Sequence, residues 1–230
     1  LASSAASDVY KRQLILGAAS QISRFLIPDL LADKTVNLTL FARQAPQQLG
    51  QYAGESRVTL VDGDWNQEAD IEQVMPNQDI VFLASSSLVG NQNVVTAMKH
   101  GGVQRLIVAG GLGIDDEVAG KFGNWNARMM GDYTPYKQAA KVILDSGLNT
   151  TYLRMTWLYD ENGNEKYQIV PEGQPLRGTQ VTRQAVAKLV TAIVRQPSLY
   201  QYANIGVVEP GTEWDKPSFY YCLLYTSDAA

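Results

Sequence analysis

The sequence is poor in the two residue types that build disulfide frameworks and most transition-metal sites. Its 230 residues include one cysteine, Cys222, and one histidine, His100. One cysteine excludes an internal disulfide framework, and one histidine excludes most histidine-rich metal sites. We therefore expect no metal ion to take part in the function.

Long apolar runs and a strong net charge are absent too. No run approaches the roughly 20 apolar residues that a membrane-spanning helix needs. The net charge of −4 gives no general reason to expect nucleic acid or an anionic membrane as a partner. With 45% hydrophobic and 18% charged residues the composition is ordinary for a globular protein, and we expect it to be cytoplasmic.

The two ends differ from the rest of the chain. Residues 1–12 lack an initiator methionine and the features of a signal peptide. The terminal YYCLLYTSDAA breaks from the polar, turn-rich EPGTEWDKPSF before it. Both ends resemble translated adapter sequence, so we expect residues 1–12 and 220–230 to be non-native tails around a single domain of residues 13–219.

Between these ends, short apolar runs alternate with segments of helical period. The predicted strands are Gln13–Gly17, Val36–Ala42, Arg57–Asp64, Asp79–Ser85, Gln104–Gly111 and Thr150–Met155. The predicted helices are Ser20–Ala32, Asn66–Met75, Asn91–His100 and Thr134–Ser146. Uninterrupted apolar strands spaced by helices indicate an α/β fold of the Rossmann type, with a doubly wound, mostly parallel sheet and helices on both faces.

After Met155 the pattern loosens into a polar, glycine- and proline-bearing segment. It predicts a loop with one short strand at Tyr167–Val170, then an amphipathic helix at Thr182–Val194 with Thr182 as its N-cap. A last strand is predicted within Tyr202–Gly211. These elements form a small C-terminal elaboration of the same domain.

The turn after the first strand, in LILGAASQISR, is typical of a dinucleotide site but lacks two of the usual glycines. Gly17 fills the first position, whereas Ser20 and Ser23 stand where the spacing G-x-x-G-x-x-G places the others. A helix N-terminus there still offers N–H groups to a phosphate, and the Ser20 hydroxyl can cap the helix. We predict phosphate binding by Gly17, Ala19, Ser20, Gln21 and Ile22. The alternative is a strand–helix turn that binds no nucleotide.

The second predicted strand also lacks a residue that NAD sites have. No acid occurs between Lys34 and Gly54 to hold the ribose hydroxyls, and Arg43 follows the strand end instead. A guanidinium can clamp a 2′-phosphate, so we expect NADP(H) rather than NAD(H). The alternative is a solvated loop arginine.

Two further strand ends contribute to the predicted cofactor site. Asp64, in VDGDW, can place a carboxylate near an adenine amino group, although a helix N-cap is its commoner role. After the fourth strand, Ala84 and Ser85 are small enough for a cofactor to cross the strand ends.

Several of these segments together resemble one family. LILGAASQISR, LFARQ, VDGDW, GVQRLIVAGGLGI and DSGLNTTYLRMTWL, spanning roughly residues 13–216, resemble the NmrA-like, NAD(P)H-binding branch of the atypical short-chain dehydrogenases/reductases. GLGIDDEVAGKFGNWN resembles small bacterial NAD(P)-binding, epimerase-like proteins of that branch. Members commonly carry an Arg-Pro where this chain has Arg154 and Met155. The resemblance implies the fold and the cofactor class, but it implies no substrate.

Members of the wider superfamily use a Ser-Tyr-Lys triad, and Tyr133 and Lys137 formally match its Tyr-x-x-x-Lys part. Counted back from the Ser-Gly-Leu segment, however, the relatives' lysine falls on Tyr136 and their tyrosine on Asp132. The formal pair is therefore displaced by one residue, about 100° around a helix. Tyr133, Tyr136 and Lys137 are the catalytic candidates that remain.

Two other features weaken the triad. Pro135 lies inside the formal pair, so Tyr133 is expected to precede the first helical turn. The fifth strand, which would supply the serine, ends in the hydroxyl-free Gly110–Gly113. We expect no working triad.

Three other groups of residues are functional candidates. His100 is predicted to face water at a helix C-terminus, and Asp115–Glu117 to be a solvated acidic face rather than a metal site. Trp125, Tyr133 and Trp157 either line a pocket for a flat substrate or belong to the core.

The sequence thus favours an NADP(H)-binding oxidoreductase that transfers a hydride directly to a small quinone-like or carbonyl acceptor. A non-catalytic NADP(H)-binding redox sensor or regulator is the first alternative, and a Rossmann domain with an empty site is the second.

Overall fold

The structure, a computed structural model, describes residues 11–221. The predictions for residues 1–10 and 222–230, including Cys222, lie outside the described residues.

A single large sheet forms the centre of the molecule. In chain order its strands are β1 (Lys11–Leu16), β2 (Val36–Ala42), β3 (Val58–Asp62), β4 (Ile80–Leu83), β5 (Arg105–Gly111) and β6 (Asn149–Met155). β7 (Trp157–Tyr159) and β9 (Gln180–Thr182) form a separate parallel pair, whereas β8 (Gln168–Val170) and β10 (Ala203–Val208) extend the main sheet. The strand order is β3-β2-β1-β4-β5-β6-β10-β8, with only β8 antiparallel to its neighbour. The reversal of order beside β1 is the topological switch at which doubly wound sheets bind ligands.

Seven α-helices connect the strands within residues 11–221. They are α1 (Ser23–Leu31), α2 (Ala45–Gln48), α3 (Glu68–Val74), α4 (Leu88–Gly101), α5 (Gly120–Met130), α6 (Thr134–Leu144) and α7 (Arg183–Arg195). Single 3-10 turns occur at Gly50–Tyr52 and Ser218–Tyr220. No helix in this part of the chain is both long and apolar enough to cross a bilayer.

The helices cover both faces of the sheet, as the apolar strands require. On one face, Leu26 and Leu30 of α1 and Val190 of α7 are buried in one core cluster. On the other face, Val94 of α4 and Ile143 of α6 are buried in a second cluster. Strands buried on both faces carry continuous apolar runs, so the predicted doubly wound α/β fold is confirmed.

The structure corrects the start of the first predicted helix and adds two helices that were not predicted, the short α2 and α5. α1 begins at Ser23 rather than Ser20, because Ser20 closes the preceding turn with its hydroxyl. α5 was missed because Gly120 and Gly123 interrupt its helical pattern. The β7–β9 pair was also missed, since three-residue strands carry too little periodicity to recognise.

The ordered packing extends beyond the expected domain limits at both ends. Lys11 belongs to β1, where its backbone N–H donates to the carbonyl of Thr35 and its ammonium to the carbonyl of Val194. At the other end, the ring of Tyr220 packs against Trp125 with centroids 4.9 Å apart. Lys11 and Tyr220 thus pack against residues that are distant from them in sequence.

The predicted N-cap of α7 is present. Thr182 accepts a hydrogen bond from the Ala185 N–H through its hydroxyl, at 3.0 Å. The strand expected at Tyr167–Val170 is β8, and the last predicted strand is β10. The sheet edge beyond β6 is thereby formed by the C-terminal elaboration.

Candidate cofactor site

A first cavity of about 450 Å³ opens at the carboxyl ends of β1, β2 and β3. Three loops meet there: the turn from β1 to α1, the turn after β2 and the segment after β3. The lining residues are Gly17, Ala19, Ser20, Phe41, Ala42, Arg43, Gln48, Gly63, Asp64, Trp65 and Asn66. The cavity therefore brings together Gly17, Ala19, Ser20, Arg43 and Asp64 from the predicted site.

Serine hydroxyls close the first turn in place of the missing glycines. The Ser20 hydroxyl donates to that of Ser23 at 2.9 Å and accepts the Ser23 N–H at 3.2 Å. The Ser23 hydroxyl donates in turn to the carbonyl of Gly17 at 3.0 Å. Ser23 is fully buried, so serine is small enough for the close helix–strand packing that the third glycine usually allows.

The same turn leaves backbone donors available. Within residues 11–221, the N–H groups of Ala19, Gln21 and Ile22 donate to no protein acceptor, whereas that of Ser20 donates to Gly17. They stand at the start of α1, where the helix dipole favours negative charge. These donors fit a phosphate-bearing cofactor.

Gly17 is held in a backbone conformation that suits glycine. Its φ of +84° is left-handed, and a Cβ there would lie 3.0 Å from the Trp65 ring and 3.2 Å from the Ala84 Cβ. Trp65 reaches on to α4, where a Cβ at Gly90 would also lie 3.0 Å from the indole. Trp65 is thus the wall between the first turn and the N-terminus of α4.

Arg43 stands at the rim of the first cavity, just beyond the end of β2. Its side chain is exposed and donates to no acceptor among the described residues. The adjacent Gln44 has a φ of 55°, and its N–H donates to the Asp62 carboxylate at 2.7 Å. Asp62 therefore fixes the turn that presents Arg43, and the guanidinium remains available to a ligand.

Asp64 has a different structural role from the one expected. Its carboxylate accepts from the backbone and side-chain N–H groups of Asn66, each at 3.0 Å, and thus closes a turn. The N-cap of α3 is Gln67, which makes no side-chain capping bond. The helix-cap expectation was wrong because α3 begins at Glu68, four residues after Asp64, rather than directly after it.

Two further cavities flank the turn after β5. The second cavity, of about 490 Å³, lies between the ends of β4 and β5 and the start of α6. It is lined by Ser85, Ser86, Ser87, Leu88, Ala109, Gly111, Leu112, Ile114, Met130, Pro135, Tyr136, Gln138, Ala139 and Tyr152. The third cavity, of about 450 Å³, lies on the β6 side and includes Trp157, Arg183 and Tyr220. Both share Gly111, Leu112 and Met130.

The formal Tyr-Lys pair has two separate sets of partners. Tyr133 precedes α6, as expected, and its hydroxyl accepts a hydrogen bond from the Asn126 side-chain amide. Asn126 in turn accepts from the Trp157 indole N–H at 2.9 Å. Lys137 instead pairs with Asp116 at 2.7 Å. Tyr133 thus ties α5 to the start of α6 and lines neither the second nor the third cavity.

The other aromatic candidates lie in different places. Tyr136, with 47% of its surface exposed, lines the second cavity. Trp157 lines the third cavity and packs on Trp125 with ring centroids 4.9 Å apart. His100 is exposed in the last turn of α4 and pairs with Glu72 at 2.8 Å, in agreement with its expected place.

The acidic cluster was wrongly expected to be solvated as a whole. Asp116 is exposed, but the Glu117 side chain is 3% exposed and lies 3.1 Å from the buried guanidinium of Arg154. Across residues 11–221, no group of three His, Cys, Asp or Glu side chains is placed to hold a metal ion.

Tyr152 of β6 was not among the predicted site residues. Its ring lies over Gly110, where a Cβ would come within 2.2 Å of it, and its hydroxyl reaches the second cavity. The hydroxyl is within hydrogen-bonding reach of the Gly111 N–H and the Ser86 hydroxyl. Burial, with the negative charges of Asp115 and Glu117, raises the pKa of Tyr152 to about 12. The only signal for Tyr152 in the sequence is the glycine pair in AGGLG, on the neighbouring strand β5, which leaves space for a large side chain.

Comparison with known proteins places the fold among nicotinamide-binding proteins. A short-chain dehydrogenase/reductase from Veillonella parvula, solved in complex with NADP, is 32% identical, with a TM-score of 0.87 over 91% of this chain and 100% of its own. A Rossmann-fold NAD(P)-binding family protein from Shigella flexneri is 34% identical, with a TM-score of 0.75 over 90% of this chain and 98% of its own.

A third structure shares the fold alone. ChuY from Escherichia coli O157:H7, described as an anaerobillin reductase, is 18% identical, with a TM-score of 0.72 over 87% of this chain and 98% of its own. No curated protein is significantly similar to the chain.

The family assignment rests on the first cavity together with these similarities. Residues 17–197, which begin at the first turn and end after α7, match the model of an NAD(P)H-binding family. The chain belongs to this NAD(P)H-binding family of Rossmann proteins, among the relatives of the short-chain dehydrogenases/reductases.

Proposed function

We propose that the protein is an NADP(H)-dependent oxidoreductase that reduces a small quinone-like or carbonyl acceptor by direct hydride transfer. The observation that carries the proposal is the joint presence, on one cavity, of the Arg43 guanidinium and a helix-start turn with three N–H groups that have no acceptor within residues 11–221. The NADP bound by the Veillonella parvula relative supports the choice of cofactor.

The residues present fit such a cofactor. The N–H groups of Ala19, Gln21 and Ile22 would hold the diphosphate, and Arg43 would clamp a 2′-phosphate by charge-assisted hydrogen bonds. Ser85, at the end of β4, lines the second cavity and would lie along the cofactor's path across the strand ends. A bound reduced nicotinamide supplies the hydride.

The chemistry proposed for this chain needs no Ser-Tyr-Lys triad. Tyr133 and Lys137 are held by Asn126 and Asp116, and the turn after β5 carries no hydroxyl. A quinone-like acceptor takes up hydride readily, and the protein contributes orientation and the exclusion of water without a triad. The largely apolar linings of the second and third cavities suit a small flat acceptor.

One experiment separates this function from its alternatives. NADPH and NADH are titrated by fluorescence, and a panel of quinones and aldehydes is then added while NADPH consumption is followed. We expect NADPH to bind more tightly than NADH and at least one acceptor to be reduced. Cofactor binding without turnover would give first place to a redox sensor or regulator. Absence of binding would leave a Rossmann domain with an empty site.

A further inference from the structure

The second cavity holds a buried polar network that the proposed function does not yet use. Its centre is Tyr152, which lines the cavity between the ends of β4 and β5. Tyr152 is 2% exposed. A buried hydroxyl normally has its hydrogen-bonding capacity filled, so the partners of each member of the network decide what it can still donate.

Asn91 fixes one end of the network. It is fully buried, and its amide nitrogen donates to the Ser86 hydroxyl and to the Ala139 carbonyl, each at 2.8 Å. Its side-chain oxygen accepts the Ser87 N–H at 3.4 Å. Both amide protons of Asn91 are therefore committed, and the Ser86 oxygen accepts one of them.

Tyr152 occupies the other end. Its oxygen lies within hydrogen-bonding reach of the Gly111 N–H and of the Ser86 hydroxyl, which already accepts from Asn91. Burial raises the pKa of Tyr152 to about 12, so the phenol keeps its own O–H at neutral pH. Among the described residues that proton has no acceptor, and the group lines the second cavity.

We propose that the Tyr152 hydroxyl is the proton donor to an acceptor oxygen bound in the second cavity, with Ser86 returning the proton from solvent. The inference rests on the proposed function, since it assigns a residue to the acceptor half of that reaction. The ligand class is a flat molecule with a carbonyl oxygen. Its ring lies among Leu88, Ala109, Leu112 and Met130.

The protons and electrons balance in this step. The carbonyl π bond of the acceptor breaks as its carbon gains the hydride, and its oxygen gains the Tyr152 proton. The Tyr152 oxygen then takes the Ser86 proton. Ser86 is partly exposed and recovers a proton from water. A phenol that burial keeps protonated is available as a donor across the neutral pH range.

This arrangement differs from a Tyr-x-x-x-Lys pair in where the phenol is attached. Tyr152 projects from β6 beneath the turn after β5, and it fits there because Gly110 has no side chain. Tyr133, the tyrosine of the formal pair, lines neither flanking cavity. The variants Tyr152→Phe and Tyr133→Phe are therefore a matched pair, because each removes one tyrosine hydroxyl.

The test compares wild type, Tyr152→Phe and Tyr133→Phe in three measurements. NADPH affinity is expected to be equal in all three proteins. Calorimetric binding of 1,4-naphthoquinone to the protein without cofactor is expected to weaken roughly fivefold in Tyr152→Phe, about the value of one hydrogen bond. Turnover of the same quinone with NADPH is expected to fall about 100-fold in Tyr152→Phe. Tyr133→Phe should match wild type in quinone affinity and stay within about threefold in turnover.

A second variant guards against a folding defect, since the ring of Tyr152 is buried over Gly110 and its substitution can disturb the packing. Ser86→Ala keeps the phenol and is expected to lower turnover at least tenfold while quinone affinity stays within about threefold.

Unchanged quinone affinity and turnover in Tyr152→Phe would overturn the inference and leave the proposed function standing. The same would follow if wild type reduced the quinone without binding it in this cavity. Failure of wild type to bind NADPH or reduce any acceptor would instead overturn the proposed function, and with it the catalytic role of Tyr152.

Discussion

The Arg154 guanidinium lies 3.1 Å from the Glu117 carboxylate, with the two side chains 0% and 3% exposed. Glu117 also accepts the Gly113 N–H at 2.9 Å and the Asp115 N–H at 3.1 Å. Arg154 is further held by the Asn204 side-chain oxygen at 2.9 Å. This buried pair fastens the loop after β5, and with it the shared wall of the second and third cavities, to β6.

Breaking that pair from one side should destabilise the protein strongly. We expect Glu117→Gln to lower the free energy of unfolding by about 3 kcal/mol, because it leaves a buried guanidinium poorly compensated. Arg154→Met combined with Glu117→Leu should cost much less than the sum of the single changes. Urea denaturation measures both. Asp116→Asn, at an exposed pair with Lys137, is the control and should cost under about 1 kcal/mol. If the loss of unfolding free energy in the double variant equalled the sum of the losses in the two single variants, Glu117 and Arg154 would not be a coupled pair.

Arg43 is expected to set the cofactor preference. Arg43→Ala should weaken NADPH binding roughly 10- to 100-fold, since a charge-assisted phosphate contact contributes about 1.5–3 kcal/mol. NADH binding should change less than about threefold. Calorimetry with both cofactors measures the ratio, and Arg12→Ala, which removes an arginine at the opposite end of β1, is the control. If Arg43→Ala weakens both cofactors equally, Arg43 does not bind a 2′-phosphate.

Trp65 should report cofactor binding. Its indole contacts the turn at Gly17 and lines the first cavity, so NADPH should quench its fluorescence. We expect Trp65→Phe to lose most of the NADPH-dependent quenching in a fluorescence titration. Trp214→Phe, an exposed tryptophan outside the first cavity, is the control and should retain it. Quenching that survives in Trp65→Phe would place the bound nucleotide elsewhere.

Tyr133 is expected to be dispensable for the chemical step. Its hydroxyl is bonded to Asn126 and its ring packs on Gly113. Tyr133→Phe should therefore change kcat by less than about threefold, whereas loss of a general acid typically costs 10²–10⁴-fold. Steady-state NADPH oxidation measures the effect. If the variant still binds NADPH but no longer oxidises it, the protein is a carbonyl reductase that uses the Tyr-Lys pair.

We expect the ionisation of Tyr152 to lower the free energy of unfolding at high pH. Its pKa of about 12 in the folded protein exceeds the value of about 10 in an unfolded chain. Between pH 10 and pH 12 Tyr152 is deprotonated in the unfolded chain but still protonated in the folded protein. The stability that protonated Tyr152 contributes is therefore fully present below pH 10 and is lost as the pH rises toward 12. Between pH 9 and 11, wild type should lose about 1 kcal/mol more unfolding free energy than Tyr152→Phe. Urea denaturation at both pH values measures this, and equal losses would contradict the raised pKa.

The strands of the main sheet were readable in the sequence for a physical reason. A strand covered on both faces must be apolar along its whole length, so runs such as VNLTLFA and LIVAGG predict β2 and β5 without knowledge of their neighbours. α5 escaped prediction because its glycines and polar residues carry little helical signal. Its buried Asn126 is explained only by the Tyr133 and Trp157 partners that the fold supplies.

The residues that line the first cavity could also be predicted largely from local sequence. Gly17, Ser20 and Ser23 lie in one short turn and satisfy one another's hydrogen bonds. The position of Arg43 follows from the end of β2. Residues within a few positions of each other can be interpreted from spacing alone, because the backbone geometry between them is nearly fixed.

The sequence by itself therefore determined the doubly wound sheet, the turn at Gly17 and the basic end of β2. Only the tertiary structure decided which acid is buried, because the partner of Glu117 is Arg154, 37 positions later. It also decided which buried phenol lines the second cavity, because Tyr152 reaches it only through the β5–β6 register that sets its ring over Gly110. Burial and cross-strand contact depend on which segments become neighbours, and the free energy of the whole packed fold settles that choice.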